Sequence, residues 1–148
     1  MLRKTLLSLV AGLLAIAALG AAPAQPAEAF GEAQFIQVWN ANVGVVDRAY
    51  DRFAGNPTVR QTIRMLREIA RAENRIINWV RERPATACQL PYKKVIISRG
   101  TVAKKSFKAA ARAASDRQYR RANTLMERGF RFHIGMQNAA VTMVQTCP

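Results

Sequence analysis

Three polar side chains fall at positions where helical periodicity places apolar neighbours: Glu73, Arg99 and His133. At about 100° per residue, each lies on the inward arc of its predicted helix. With a rise of about 1.5 Å per residue, Glu73 and Arg99 come within roughly 5 Å of each other along the helix axes. The sequence therefore predicts a Glu73–Arg99 ion pair between two helices, which would fix their register. Alternatively, the three side chains form an internal polar site that holds a small ligand or cofactor.

His133 is the single histidine of the chain, and its helical neighbours include methionines. Such a histidine is usually a core residue with one hydrogen-bond partner. The alternative is an axial ligand to a non-covalent haem, with Gly129 leaving room for a flat ring. The sulfurs available as a second ligand are those of Met65, Met126, Met136 and Met143. Because methionines at helical spacing usually fill cores, we predict no cofactor.

Other catalytic chemistry finds little support in the sequence. Nucleotide-binding glycine motifs, the HExxH motif, the GxSxG motif and the EF-hand loop are all absent. One histidine excludes a metal site that needs two. A hydrolase acting on envelope glycans would need two suitably spaced carboxylates, and Glu73 is the one inward-facing acid. We therefore predict that the protein is not an enzyme.

Basic residues outnumber acidic residues by 23 to 9, which gives a net charge of +14. Five arginines step by three or four residues along one face of the second predicted helix, and further lysines and arginines follow on the third and fourth. Such a charge concentrates anions at the surface and makes their binding sensitive to salt. The predicted anion-binding surface consists of Arg60, Arg64, Arg67, Arg71, Arg75, Lys104, Lys105, Lys108, Arg112, Arg120 and Arg121.

The N-terminal segment has the composition of a secretory signal peptide. Arg3 and Lys4 precede a run of fourteen uncharged residues, and Ala27 and Ala29 flank Glu28 in an A-x-A cleavage site. The apolar run falls short of the roughly 20 residues that span a bilayer. We predict a cleaved signal at 1–29 and a single domain at 30–148, with 21 basic residues, 8 acidic residues and a net charge of +13. The expected location is the periplasm or the extracellular medium.

Apolar residues recur with a period near 3.6 through the rest of the chain, which predicts four helices at about 32–53, 57–83, 92–114 and 116–146. Short connections favour an all-α, up-down-up-down four-helix bundle. Gly100 and the β-branched residues before it leave a short strand pair over 92–102 as the alternative for the start of the third helix. An S-x-x-Q sequence, Ser115 to Gln118, is typical of a capping box and predicts the start of the fourth.

Two cysteines, Cys88 and Cys147, predict a disulfide in an exported chain. The bundle topology places both at the same end. The predicted function is an exported, non-enzymatic binding protein whose basic surface recognises an anionic envelope component or an acidic partner protein. Candidate components are lipid head groups, lipopolysaccharide and acidic glycans. We do not expect nucleic acid as a partner, because an exported chain meets little of it and aromatic residues do not alternate with the basic ones.

Overall fold

The computed structural model describes residues 32–147, and these form four α-helices with no strand among them. The helices are α1 (Glu32–Ala54), α2 (Val59–Glu82), α3 (Gln89–Ser115) and α4 (Tyr119–Thr146). The predicted all-α bundle is confirmed. The predicted signal peptide, 1–29, lies outside the described residues and stays a prediction. None of the four described helices combines the length and the hydrophobicity that a membrane-spanning segment needs.

Buried side chains form two main clusters, one at each end of the bundle. One cluster joins the second half of α1, the first half of α2, the second half of α3 and the first half of α4. The other joins the opposite halves. This alternation is what four consecutive antiparallel helices produce. The first cluster lies at the end that holds the α3–α4 turn, which we call the turn end, and the second lies at the disulfide end.

The Cys88–Cys147 disulfide is present, as predicted, with its Cα atoms 5.7 Å apart. Cys88 precedes the first residue of α3, and Cys147 follows the last residue of α4. The bond therefore joins α4 to the α2–α3 connection at the disulfide end. In the chain-entropy model, closing the loop between Cys88 and Cys147 stabilises the fold by about 4 kcal/mol.

Helix boundaries differ from the predicted ones for identifiable chemical reasons. Thr58 caps α2, so the helix begins two residues after the predicted start at 57: its hydroxyl accepts from the Gln61 amide at 3.3 Å, and the Gln61 side chain accepts from the Thr58 amide at 2.8 Å. That is a complete capping box. The box predicted at Ser115 does not form, because α3 continues through Ser115 and α4 begins only after Gln118.

The third helix is continuous from Gln89, so the strand pair considered for 92–102 is wrong. Gly100 lies at a close contact of α3 with its neighbours on α2 and α4. A Cβ at this position would lie 2.8 Å from the Met136 sulfur and 2.9 Å from Ile77 Cγ1. Glycine is therefore required there for close packing, and packing outweighs its low helix propensity.

Candidate functional site

The polar centre of the bundle is a contact between Glu73 on α2 and His133 on α4. The His133 Nδ1–H donates to Glu73 Oε1 over 2.5 Å. Glu73 is completely buried and His133 is 2% exposed. Both inward positions were predicted from the helical periodicity, but the partner predicted for Glu73 was wrong.

Arg99 does not pair with Glu73; its side chain is exposed and its guanidinium lies against Gly135 on α4. The neighbouring Gly100 faces the core, so Arg99 stands beside the buried arc rather than on it. A long arginine at such a position extends its charged head toward water. Because Gly135 has no side chain, the guanidinium can pass over α4. The predicted three-residue internal site is thus reduced to Glu73 and His133.

Two polar atoms of this pair have no hydrogen-bond partner among the described residues: Glu73 Oε2 and His133 Nε2. Buried polar groups are nearly always hydrogen-bonded. With Nδ1–H directed to Glu73, a neutral His133 ring presents the lone pair of Nε2 as an acceptor. The pair therefore holds the imidazole in a fixed orientation with one nitrogen unused.

The haem alternative loses one of its supports. A Cβ on Gly129 would lie 2.7 Å from the Phe107 ring, so that ring fills the space expected for a flat cofactor. The missing side chain at Gly129 instead allows α3 and α4 to pack closely.

A cavity of about 760 Å³ lies between α1 and α4, and His133 is part of its wall. Most of the wall is apolar or aromatic. Tyr50 and Phe53 of α1 meet Phe130 of α4 in edge-to-face contacts, with ring centroids 5.1 and 6.1 Å apart. The complete lining is Val46, Asp47, Tyr50, Asp51, Phe53, Met126, Glu127, Phe130, Arg131, His133, Ile134 and Gln137.

A second cavity of about 290 Å³ continues along the same seam toward the disulfide end. Its lining also comes from α1 and α4 alone and contains no charged residue: Phe35, Ile36, Trp39, Asn40, Ala140, Val141, Val144 and Gln145. Four of the large apolar side chains that remain exposed lie along the two cavities: Ile36, Tyr50, Ile134 and Val141. The α1–α4 seam is therefore an open groove.

The predicted anion-binding surface is divided by the structure into separate groups. Arg60, Arg64, Arg67 and Arg71 surround one shallow depression on α2, with Glu68 as its single acid. All four arginines are exposed. Ile63, in the same depression, also packs against the small alanine cluster of α3 and α4 at the turn end.

Arg120 and Arg121 line a second depression at the start of α4, together with Arg117 from the α3–α4 turn. Lys105, Lys108 and Arg112 are exposed on α3.

Two members of the predicted surface are engaged in contacts between helices. Arg75 Nε donates to the Asn42 side chain on α1 over 2.6 Å, and Lys104 Nζ donates to Asn74 on α2 over 3.1 Å. Arg75 and Lys104 help to hold helices together. The depression on α2 is lined by the other four arginines predicted on one face of that helix.

Within residues 32–147, no described arginine forms an ion pair with a carboxylate, and the buried acid–base contact is that of Glu73 with His133. The arginines of the two depressions are consequently not neutralised by neighbouring acids. The same range contains no group of three histidine, cysteine or acidic residues that could hold a metal ion.

Comparison with protein-family models, curated proteins and solved structures finds no match for this chain.

Helical periodicity does not predict the groove. Several of its lining residues lie on apolar arcs, and periodicity cannot say how closely two such arcs approach. One signal was present: Asp47, Asp51 and Glu127 are close to these arcs, on a chain with few acids.

Proposed function

We propose that this is an exported, non-enzymatic protein that binds phosphate-bearing lipid head groups of the cell envelope through its arginine surface. The observation that carries the proposal is the depression on α2, where four exposed arginines face a single acid and none is paired with a carboxylate. The guanidinium fork matches phosphate geometry and can bind it through two parallel hydrogen bonds.

The disulfide supports export, because such bonds persist in oxidising compartments. Phosphate is shared by phospholipids and lipopolysaccharide, so both are candidate sources of the head group. Acidic glycans and acidic proteins are the competing partners, and they lack the ordered membrane surface on which neighbouring phosphates could occupy several arginines at once.

The test is co-sedimentation with vesicles of phosphatidylglycerol and phosphatidylcholine, compared with phosphatidylcholine alone, at low and at physiological salt. We expect binding to the anionic vesicles only, with a marked loss as salt increases. Lipopolysaccharide added to the anionic-vesicle assay then distinguishes the two sources of phosphate by competition.

The informative variant replaces Arg60, Arg64, Arg67 and Arg71 by alanine. Near an anionic surface each basic residue contributes about 1 kcal/mol, so vesicle affinity should fall by at least about a hundredfold. The matched control removes the same charge from scattered exposed positions: Arg48, Arg81, Lys94 and Arg128. It should retain most of the binding.

Equal losses in the two variants would show that net charge alone attracts the vesicles and would contradict a defined site. Absence of binding to anionic vesicles would reject a lipid partner. A pull-down with an acidic protein or glycan column would then be the appropriate next experiment.

A further inference from the structure

From the α1–α4 groove we infer a second binding site: a site for an amphipathic amine, with a cationic head at the larger cavity and an apolar tail along the seam. This inference does not rest on the proposed lipid-binding function, because it uses a different face and opposite charges. Its volume of about 760 Å³ lies in the range that small-molecule sites usually have.

The charges around the larger cavity favour a cation. Three carboxylates, those of Asp47, Asp51 and Glu127, are part of its lining, against the single guanidinium of Arg131. The two aspartates stand one turn apart on α1, so they lie on the same side of the groove. On a chain with a net charge of +14, this concentration of acids around one cavity favours a positive group there.

The aromatic wall adds a second preference for a cation. Tyr50, Phe53 and Phe130 line the cavity and meet edge to face. An ammonium that lies over the face of such a ring is attracted by the ring quadrupole.

His133 is part of the inner wall of this cavity. Its Nδ1–H is held by Glu73, its Nε2 has no partner among residues 32–147, and its ring belongs to the cavity lining. Nε2 is buried, so a ligand N–H would pair with it only after neighbouring side chains move. The carboxylates and the aromatic rings of the lining therefore carry the preference for a cation.

The lining of the smaller cavity indicates the chemistry of the rest of the ligand. It is uncharged, lies on the same two helices and is flanked by exposed Ile36 and Val141. From Ile134 to Val141 the helix advances by about 10 Å. A linear apolar chain that extends from the amine would cover this part of the seam.

Three probes with the same chain and different heads test the inference: octylamine, octanol and octanoate. Binding is followed through methyl resonances of Met126 and Ile134 at the larger cavity and of Val141 and Val144 at the smaller. Local resonances are needed because octanoate will also contact the arginine surface. We expect both pairs of methyl groups to shift, with octylamine binding about tenfold more tightly than octanol.

The variant pair Asp47→Asn and Asp51→Asn, made together, tests the head-group preference without touching the core, since both side chains are exposed. It should reduce octylamine affinity to that of octanol. The control pair, Glu82→Gln and Asp116→Asn, removes the same charge elsewhere and should leave the preference intact. Equal affinity of the unmodified protein for amine and alcohol, preference for octanoate at these methyl groups, or no shift at all would overturn the inference.

Discussion

At the scale of single residues, the Glu73–His133 contact has the largest consequences for stability. Two ionisable groups are removed from water, and each retains one atom without a partner. Removing one member of such a pair leaves the other buried and uncompensated, whereas replacing both by apolar groups is often neutral or stabilising. The contact is therefore costly to break from one side and inexpensive to remove entirely.

The changes His133→Leu and Glu73→Leu, alone and combined, should show this asymmetry. We expect His133→Leu to lower the free energy of unfolding by about 3–5 kcal/mol, because the Glu73 carboxylate then lacks its donor. The double variant should recover most of that loss. Urea denaturation of the four proteins gives the coupling energy of the pair. Additive losses in the double variant would mean that the two side chains act independently, contrary to the structure.

At the scale of helices, close approach depends on particular glycines. Gly100 lets α3 pack against Ile77 of α2 and Met136 of α4, whereas Gly44 on α1 faces only the flexible end of Arg48. The two glycines are both interior to helices, where alanine is normally preferred by about 0.5–1 kcal/mol. Their environments, rather than their propensities, decide what a methyl group does.

We accordingly expect Gly100→Ala and Gly44→Ala to have opposite effects. Gly100→Ala should destabilise the protein by about 1–3 kcal/mol through overpacking, and Gly44→Ala should stabilise it by about 0.5–1 kcal/mol. Thermal unfolding of both variants beside the parent protein measures the difference. Stabilisation by Gly100→Ala would show that α3 and its neighbours can separate without cost.

The number and order of the helices could be predicted from the sequence, because the 3.6-residue apolar period and the prolines that interrupt it are local signals. The disulfide could be predicted because the chain contains just two cysteines. The partner of Glu73 could not. Helical periodicity places both Arg99 and His133 near Glu73. Which of them pairs with Glu73 depends on which side chain turns toward the core. The groove was missed for the same reason, since the distance between α1 and α4 is a property of packing.

At the scale of the whole molecule, the net charge is large and positive. In most proteins added salt weakens surface ion pairs, but within residues 32–147 no described arginine is paired with a carboxylate. The main effect of salt is then to screen the mutual repulsion of basic groups, which opposes the compact state.

Stability against urea should therefore increase as sodium chloride is raised from low ionic strength to about 0.15 M, where the Debye length falls to roughly 8 Å. The variant with alanine at Arg60, Arg64, Arg67 and Arg71 should gain less, because it carries less repulsion on α2. A midpoint that falls with salt would indicate that attractive charge pairs dominate instead.

The position of the Glu73–His133 contact has a further consequence. The apolar core is divided into two main clusters, and this polar contact lies between them: Ala72 belongs to one and Ile76 to the other, on either side of Glu73. A boundary of this kind can separate units that open independently. The disulfide closes one unit covalently, so we expect the turn end to open first, while the other half of the protein stays folded.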